Sequence, residues 1–430
     1  MSKNVILGSG IAGLAAAWEA KKSGIDTTIY EARPSAGGLL DNLKIDGFTF
    51  DNAVHLSFAW EQEVRERFDR VPYHTHSPDA LCRDNGVWLK HPVQNNLYPL
   101  SPEEKVELIT GLVNAPSDEV RNYRDWLVHQ YGEPIAARWP LVYTEKYWTL
   151  PAEALGIDWI GQRLRRADLG EVLYGAMTSD TPTHFYAKEM RYPEKGGYRG
   201  FIGSMIEGAD IVYDHRVTEI RTTDKQIGFA NGKVVDYEAA ISTLPLPRLI
   251  EMMTDAPDDV RQDASTLFAT EIDLISIGFN RPKVSPALWF YIYDRDIWAS
   301  RAYSPDWKSK SNVPDGCSAL QFEIYSSPKA PQTKSVEELK ANTVAALEHM
   351  GLATQEDILF VHHKHIPYAN VVFDQGMEQR RDRVLKWVRE MGIQSCGRFG
   401  EWDYLWSNQS MMSGLKAARQ AFGLPCEASS

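Results

Sequence analysis

Gly8-Ser-Gly-Ile-Ala-Gly13 is the stretch on which the reading of this chain turns. Before it, the apolar run Asn4-Val-Ile-Leu7 reads as a buried strand; after it, Leu14-Ala-Ala-Ala-Trp-Glu-Ala20 reads as a helix ending at Ser23-Gly24. Thr27-Thr-Ile-Tyr30 then reads as a second strand with Glu31 at its carboxyl end. Three glycines alone would suit an ordinary turn, but strand, turn, helix, strand and acid at this spacing together make a dinucleotide-binding unit. Gly8 permits the tight turn, Gly10 lets the backbone approach a pyrophosphate, and Gly13 lets helix and strand pack closely. The helix N-terminus presents unpaired N–H groups and partial positive charge to the phosphates. Glu31 can accept hydrogen bonds from a ribose, which disfavours a 2′-phosphate there.

The continuation Glu31-Ala-Arg-Pro-Ser-Ala-Gly-Gly38 turns the choice from NAD to FAD. A second glycine pair behind the acid resembles the extended FAD fingerprint of the glutathione-reductase and amine-oxidase type flavoproteins.

At 430 residues the chain exceeds one small core and is expected to hold roughly two or three domains. A net charge of −12 opposes general attraction to nucleic acid or an acidic membrane, while leaving room for a local basic pocket. Cys82, Cys317, Cys396 and Cys426 lie far apart with no CxxC or histidine partner pattern, so reduced thiols and no metal site are expected. No apolar run reaches membrane-span length and the N-terminus does not read as a signal peptide, so the expectation is a cytoplasmic protein.

Along the chain, residues 45–51 alternate as one strand, 60–70 read as a charged amphipathic helix and 86–89 as a short strand. Ser101-Pro-Glu-Glu104 is a helix start, with a capping Ser, Pro in the first turn and acids behind it. Helical periodicity then runs to about Met177, with breaks near Pro134, Pro140 and Pro151. The glycine-rich loop at 191–200 opens a helix over 201–207, and residues 211–213, 217–220 and 239–243 return as strands of the nucleotide domain. Residues 273–279 and 319–325 read as strands, and 335–350 and 409–422 as helices. The expected class is α/β. A Rossmann-like FAD-binding domain (1–75, 188–248 and 390–430) interleaves with a helical domain (100–187) and a mostly antiparallel β-sheet domain (76–99 and 249–389).

Further pieces are spread along the chain in a fixed order. They are residues 51–55, Gln94-Asn-Asn96, Tyr143-Thr-Glu-Lys-Tyr-Trp148, Trp159-Ile-Gly-Gln-Arg163, residues 193–200, Trp289-Phe-Tyr291, Arg301, Ile366-Pro-Tyr368, Gly397-Arg-Phe-Gly-Glu-Trp-Asp-Tyr404 and Asn408-Gln409. Jointly they resemble the UDP-galactopyranose mutase family, with the Gln-Asn-Asn and Arg-Phe-Gly pieces similar to the eukaryotic-type members. The resemblance implies an isomerase that interconverts pyranose and furanose forms of a nucleotide-diphosphate sugar, with N5 of reduced FAD attacking the anomeric carbon.

Residue by residue, the resemblance implies His55, Arg163 and Arg301 as the catalytic set. Flavin contacts are expected from Gly8, Gly10, Gly13, Glu31, Arg33, Gly37, Gly38, Val217 and Arg398. Substrate contacts are expected from Gln94, Asn95, Tyr143, Trp148, Tyr291, Tyr368 and Tyr404 together with Arg163 and Arg301. Two arginines suit a diphosphate because their forked donors never deprotonate. An external reductant such as NAD(P)H and a homo-oligomer are compatible with this reading. The chain departs from the family at His91, Val93, Asp403 and Ser410, two of which touch the base-binding region the resemblance implies. The rival expectation on the same fold is a net oxidoreductase of the amine-oxidase or desaturase kind.

A side chain at Gly10 would occupy the pyrophosphate's space, so Gly10→Val is expected to yield colourless protein. The flavin absorbance of the purified variant, measured against wild type, checks this.

Overall fold

The computed structural model describes residues 3–161, 168–182 and 189–425. Its first element is the expected strand–turn–helix–strand unit: strand Asn4–Leu7, helix Ile11–Lys22 and strand Thr28–Tyr30, the two strands parallel. Later segments complete a five-stranded parallel sheet, in the order Ile393–Ser395, Ala239–Ser242, Asn4–Leu7, Thr28–Tyr30, Ile211–Val212. The first helix is apolar nearly all round because it is covered nearly all round, by this sheet and by the C-terminal helix Ser407–Phe422. That contact is backbone to backbone: a β-carbon at Gly414 would overlap the Ala12 carbonyl, and one at Gly13 would overlap the Gly8 carbonyl. Arg419 secures the C-terminal helix with a buried hydrogen bond to Glu19 (2.8 Å) and another to Glu63 (2.6 Å).

Residues 45–51 are not one strand. Asn42–Ile45 and Phe48–Asp51 form a hairpin, turned by Asp46 (φ 47°) and Gly47 (φ 85°). Two consecutive positive φ values define the tight turn that an Asp-Gly pair favours, a signal the alternation had hidden. Val217–Arg221 is a strand, but it belongs to a three-stranded antiparallel sheet with Gln226–Phe229 and Val234–Asp236 rather than to the parallel sheet.

The larger sheet has seven strands, in the order Ile358–Val371, Ala269–Phe279, Ser318–Ser326, Arg301–Tyr303, Trp289–Ile292, Ala80–Asp84, Val87–Lys90. All neighbours are antiparallel except Trp289–Ile292 beside Ala80–Asp84. Ile358–Val371 is the long strand that periodicity missed. The polar run His362-His-Lys-His365 breaks its pattern, and as an edge strand it tolerates Pro367 inside a bulge between Ile366 and Asn370.

The helical region comprises Pro102–Val113, Tyr123–Tyr131, Glu133–Arg138, Pro140–Trp148 and Leu169–Met177. Ser101 and Glu104 form the expected capping box. The helical run breaks near Pro134 and Pro140 as expected, each proline sitting in the first turn of the helix that follows the break.

Filling the Gly414 contact should be costly. Gly414→Ala is expected to lower stability by about 1–3 kcal/mol through overpacking. Gly203→Ala, in a helical position with nothing within 4 Å of a new β-carbon, should stay within about 0.5 kcal/mol. Urea denaturation of the two variants beside wild type gives the comparison.

Candidate flavin and anion site

A cavity of about 420 Å³ runs from the carboxyl ends of Asn4–Leu7 and Thr28–Tyr30 to one face of the seven-stranded sheet. At the nucleotide end Gly8, Gly10, Glu31, Arg33, Gly37, Gly38 and Val217 all line it. Gly37 N donates to Ser9 O (2.9 Å), which brings the second glycine pair against the first. A β-carbon on Gly38 would lie 3.0 Å from Gly10 Cα, so this cradle exists only without side chains. Glu31 is 6% exposed. Its Oε2 accepts from Ser9 N (2.9 Å) and Ser9 Oγ (2.6 Å), and its Oε1 from Arg33 N (3.0 Å). Three bonds leave a carboxylate one further acceptor site, which suits a ribose hydroxyl. Gly13 does not line the cavity; it serves the helix–strand contact. Donor set, acceptor and cradle fit FAD.

The middle of the cavity is walled by Asn52, Ala53, Val54, His55 and Leu56 on one side and by Gly397 and Arg398 on the other. The 52–56 loop is held from behind by a buried ion pair, Lys308 Nζ to Asp51 Oδ2 at 2.7 Å. Lys308 is fully buried, with its ammonium 3.8 Å above the Tyr303 ring. Asp51 also accepts from Tyr192 OH (2.8 Å) and Tyr198 N (2.9 Å), so its charge is well compensated.

His55 points its Nδ1 at Ala53 O, 3.2 Å away. A carbonyl can only accept, so Nδ1 carries the hydrogen and Nε2 of the neutral ring is an acceptor. Burial pulls the His55 pKa down to about 4; Asp51 pushes upward, and Lys308 and Arg398 pull further down. The ring is therefore neutral at pH 7. Arg398 donates to Leu405 O (2.8 Å), Ala369 O (3.1 Å) and Asn370 Oδ1 (3.3 Å), all neutral acceptors.

At the far end stands Arg301, the first residue of its strand, opposite Tyr291. Its Nε donates to Glu323, a carboxylate with no exposed surface, and its guanidinium lies 5.4 Å over the Tyr147 ring. Glu323 Oε2 also accepts from Tyr325 OH (2.7 Å), and Oε1 accepts from Val54 N (3.0 Å). One buried acid thus joins the loop at mid-cavity to the arginine at its end. Glu323 engages Nε, and the two terminal nitrogens have no hydrogen-bond partner among the described residues. Tyr147, Trp289, Tyr291, Tyr325 and Tyr404 complete this end. Burial raises the pKa of Tyr147, Tyr291 and Tyr325, keeping these hydroxyls protonated and able to donate.

Among the described residues, the other expected substrate contacts are placed elsewhere. Arg163 lies outside the described residues. Gln94 is not in the cavity lining, and Asn95 bonds Glu171 (2.8 Å) in a separate crevice with Asp180 and Thr181. Tyr143 and Trp148 form a layer behind the lining, stacked on Tyr147 and set against Tyr404 respectively. Tyr368 is not in the lining and packs behind it on Phe399 and Trp402. Sequence reasoning missed Tyr147, Tyr325 and Glu323. A signal existed: Gln321, Glu323 and Tyr325 share one face of a strand whose every residue is buried.

Residues 129–421 match the family model described as flavin containing amine oxidoreductase, and residues 6–71 match an NAD(P)-binding Rossmann-like domain. Among solved structures, a reduced UDP-galactopyranose mutase superposes with a TM-score of 0.92 at 24% identity, covering 99% of this chain and 97% of that one. That likeness shows the fold. A 1-hydroxycarotenoid 3,4-desaturase from Flavobacterium sp. (strain P99-3) is 47% identical over 51 residues, 12% of this chain and 10% of that protein. Polyamine oxidase 3 from Oryza sativa subsp. japonica is 24% identical over 258 residues, 56% of this chain and 51% of the oxidase. The chain thus spans between a tenth and about half of these curated relatives' length.

The neutral His55 generates a pH expectation. Its folded pKa lies below the unfolded value of about 6.5, so the stability it contributes is complete above that pH and lost as pH falls toward 4. In a histidine NMR titration, the His55 ring, assigned by the signal missing from His55→Gln, should stay unshifted from pH 8 to 5.5 and move only near 4.

Proposed function

Since the chain belongs to the flavin containing amine oxidoreductase family, we propose that this flavin enzyme is a mutase interconverting pyranose and furanose forms of a nucleotide-diphosphate sugar. The observation that carries the reading is Arg301, seated on buried Glu323 among tyrosine hydroxyls at the end of the flavin cavity. Paired with Glu323 the guanidinium carries no net excess charge, but its forked terminal donors match diphosphate oxygens and offer the hydrogens of a cationic amine no acceptor. The full-length likeness to a UDP-galactopyranose mutase supports the same reading.

Reduced FAD, held by Glu31, the glycine cradle and the 52–56 loop, would supply an electron-rich nitrogen able to displace a diphosphate from an anomeric carbon. The remaining tasks fall to this chain. Arg301 Nη groups hold the diphosphate oxygens while charge builds on them and keep the departed group close for its return. Tyr147, Tyr291, Tyr325 and Tyr404 ring that position, shutting out water that would hydrolyse an activated sugar. Neutral His55 offers Nε2 as an acceptor for a proton at the flavin edge. Donor and product carry the same oxidation state, so electrons balance without an oxidant.

The curated relatives name a second reading, oxidation of a polyamine or desaturation of a carotenoid. Dithionite-reduced protein incubated with a panel of nucleotide sugars and followed by NMR separates the two. The mutase gives ring-contracted product only after reduction; steady peroxide formation from an amine and oxygen, with no furanose, overturns it. Arg301→Ala should keep its flavin and bind the nucleotide sugar about ten- to a hundredfold more weakly. Wild-type affinity in that variant removes Arg301 from the site.

A further inference from the structure

One residue of the Tyr143–Trp148 motif has a role that neither flavin nor substrate accounts for. Lys146 lies on helix Pro140–Trp148, one position before the tyrosine that stacks under Arg301. Its ammonium donates to four main-chain carbonyls: Ile292 O (3.0 Å), Asp294 O (2.7 Å), Ile297 O (2.7 Å) and Ala299 O (3.2 Å). Ile292 ends strand Trp289–Ile292, and the other three lie in the connection from it to strand Arg301–Tyr303; these are the two strands on which Tyr291 faces Arg301. An ammonium offers three hydrogens, so four carbonyls converging on it form a cage of the kind that surrounds a bound cation.

We propose that Lys146 is a positioning residue for the anion end of the cavity: its charge gathers the 292–299 connection around one point of the helix and so sets Arg301 over Tyr147. The role in substrate binding rests on the anion reading of Arg301 given above. The charges facing Lys146 are Asp294 and Asp296, which favour its protonated form, and Arg295, which opposes it. Arg295 is drawn off to Glu145 on the outer surface (2.9 Å), and Asp294 Oδ1 accepts from Asn85 N (3.0 Å). Burial draws the Lys146 pKa down to about 7, against the upward pull of Asp294 and Asp296. A neutral side chain of equal length would leave four carbonyls turned inward without a donor. The connection would then open, carrying Arg301 away from Tyr147.

The test uses flavin-loaded full chain, with inorganic pyrophosphate as the anion probe and amide hydrogen exchange over residues 289–303 as an independent view of the cage. Lys146→Met should speed exchange there and weaken pyrophosphate binding roughly tenfold, with flavin content unchanged. Lys146→Ala should show the same two losses, and ethylammonium in the buffer should reverse both by refilling the cage. A rescue of this kind distinguishes positioning by charge from loss of packing. Wild-type exchange in Lys146→Met overturns the proposal, as does faster exchange with unaltered pyrophosphate affinity. Ethylammonium without effect on Lys146→Ala also overturns it. Should the wild type bind no pyrophosphate, the anion reading of Arg301 fails separately, and the exchange rates with their rescue still decide whether Lys146 holds the connection.

Discussion

Backbone laid directly on backbone is the constraint from which this structure is built. The first helix can touch the central strand through Gly13 and the last helix through Gly414 only because neither position carries a β-carbon. The same absence of side chains at Gly10, Gly37 and Gly38 leaves a groove at the carboxyl end of the sheet instead of a filled core. Packing and binding therefore draw on one property of the chain. The helix that is locked in place by its glycine contacts is also the helix whose N-terminus faces the groove.

From that fixed floor, charge is organised toward the far sheet by fully buried groups. Lys308 and Asp51 brace the loop beneath the middle of the cavity, and Glu323 ties that loop to Arg301. Isolated, any of these ions would be costly to bury; Asp51 and Glu323 each accept further hydrogen bonds beyond their ion pairs. Such a network resists displacement, so Arg301 is held in one orientation at the end of the cavity. Lys146 extends the same logic outward, using carbonyl dipoles where Glu323 uses a carboxylate.

The elements legible in the sequence are those whose reasons are local. Ser101 and Ser335 each open a helix with a capping box that their own neighbours complete. The Gly8–Glu31 unit, whose acid bonds Ser9 only 22 residues away, was readable for the same reason. The elements that escaped are those whose pattern is masked or whose partner is distant. The histidine run hid an edge strand of 14 residues, and an Asp-Gly turn was buried in the alternation of 45–51. In the aromatic motif at 143–148 the ends were expected to face the ligand. The helix instead turns Tyr147 into the cavity and sets Tyr143 behind it.

The sequence by itself determined a nucleotide fold with its flavin cradle, because glycine geometry and the acid beyond it act within one βαβ unit and need no other part of the chain. It also supplied Arg301 as a forked cation. Only the tertiary structure decided what that cation is paired with. Glu323 reaches Val54 across 269 residues of sequence, and Lys146 reaches the connection behind Arg301 across about 150. No local pattern encodes contacts at such separations. They form because burying each charge requires a partner, and the fold alone selects which one is near.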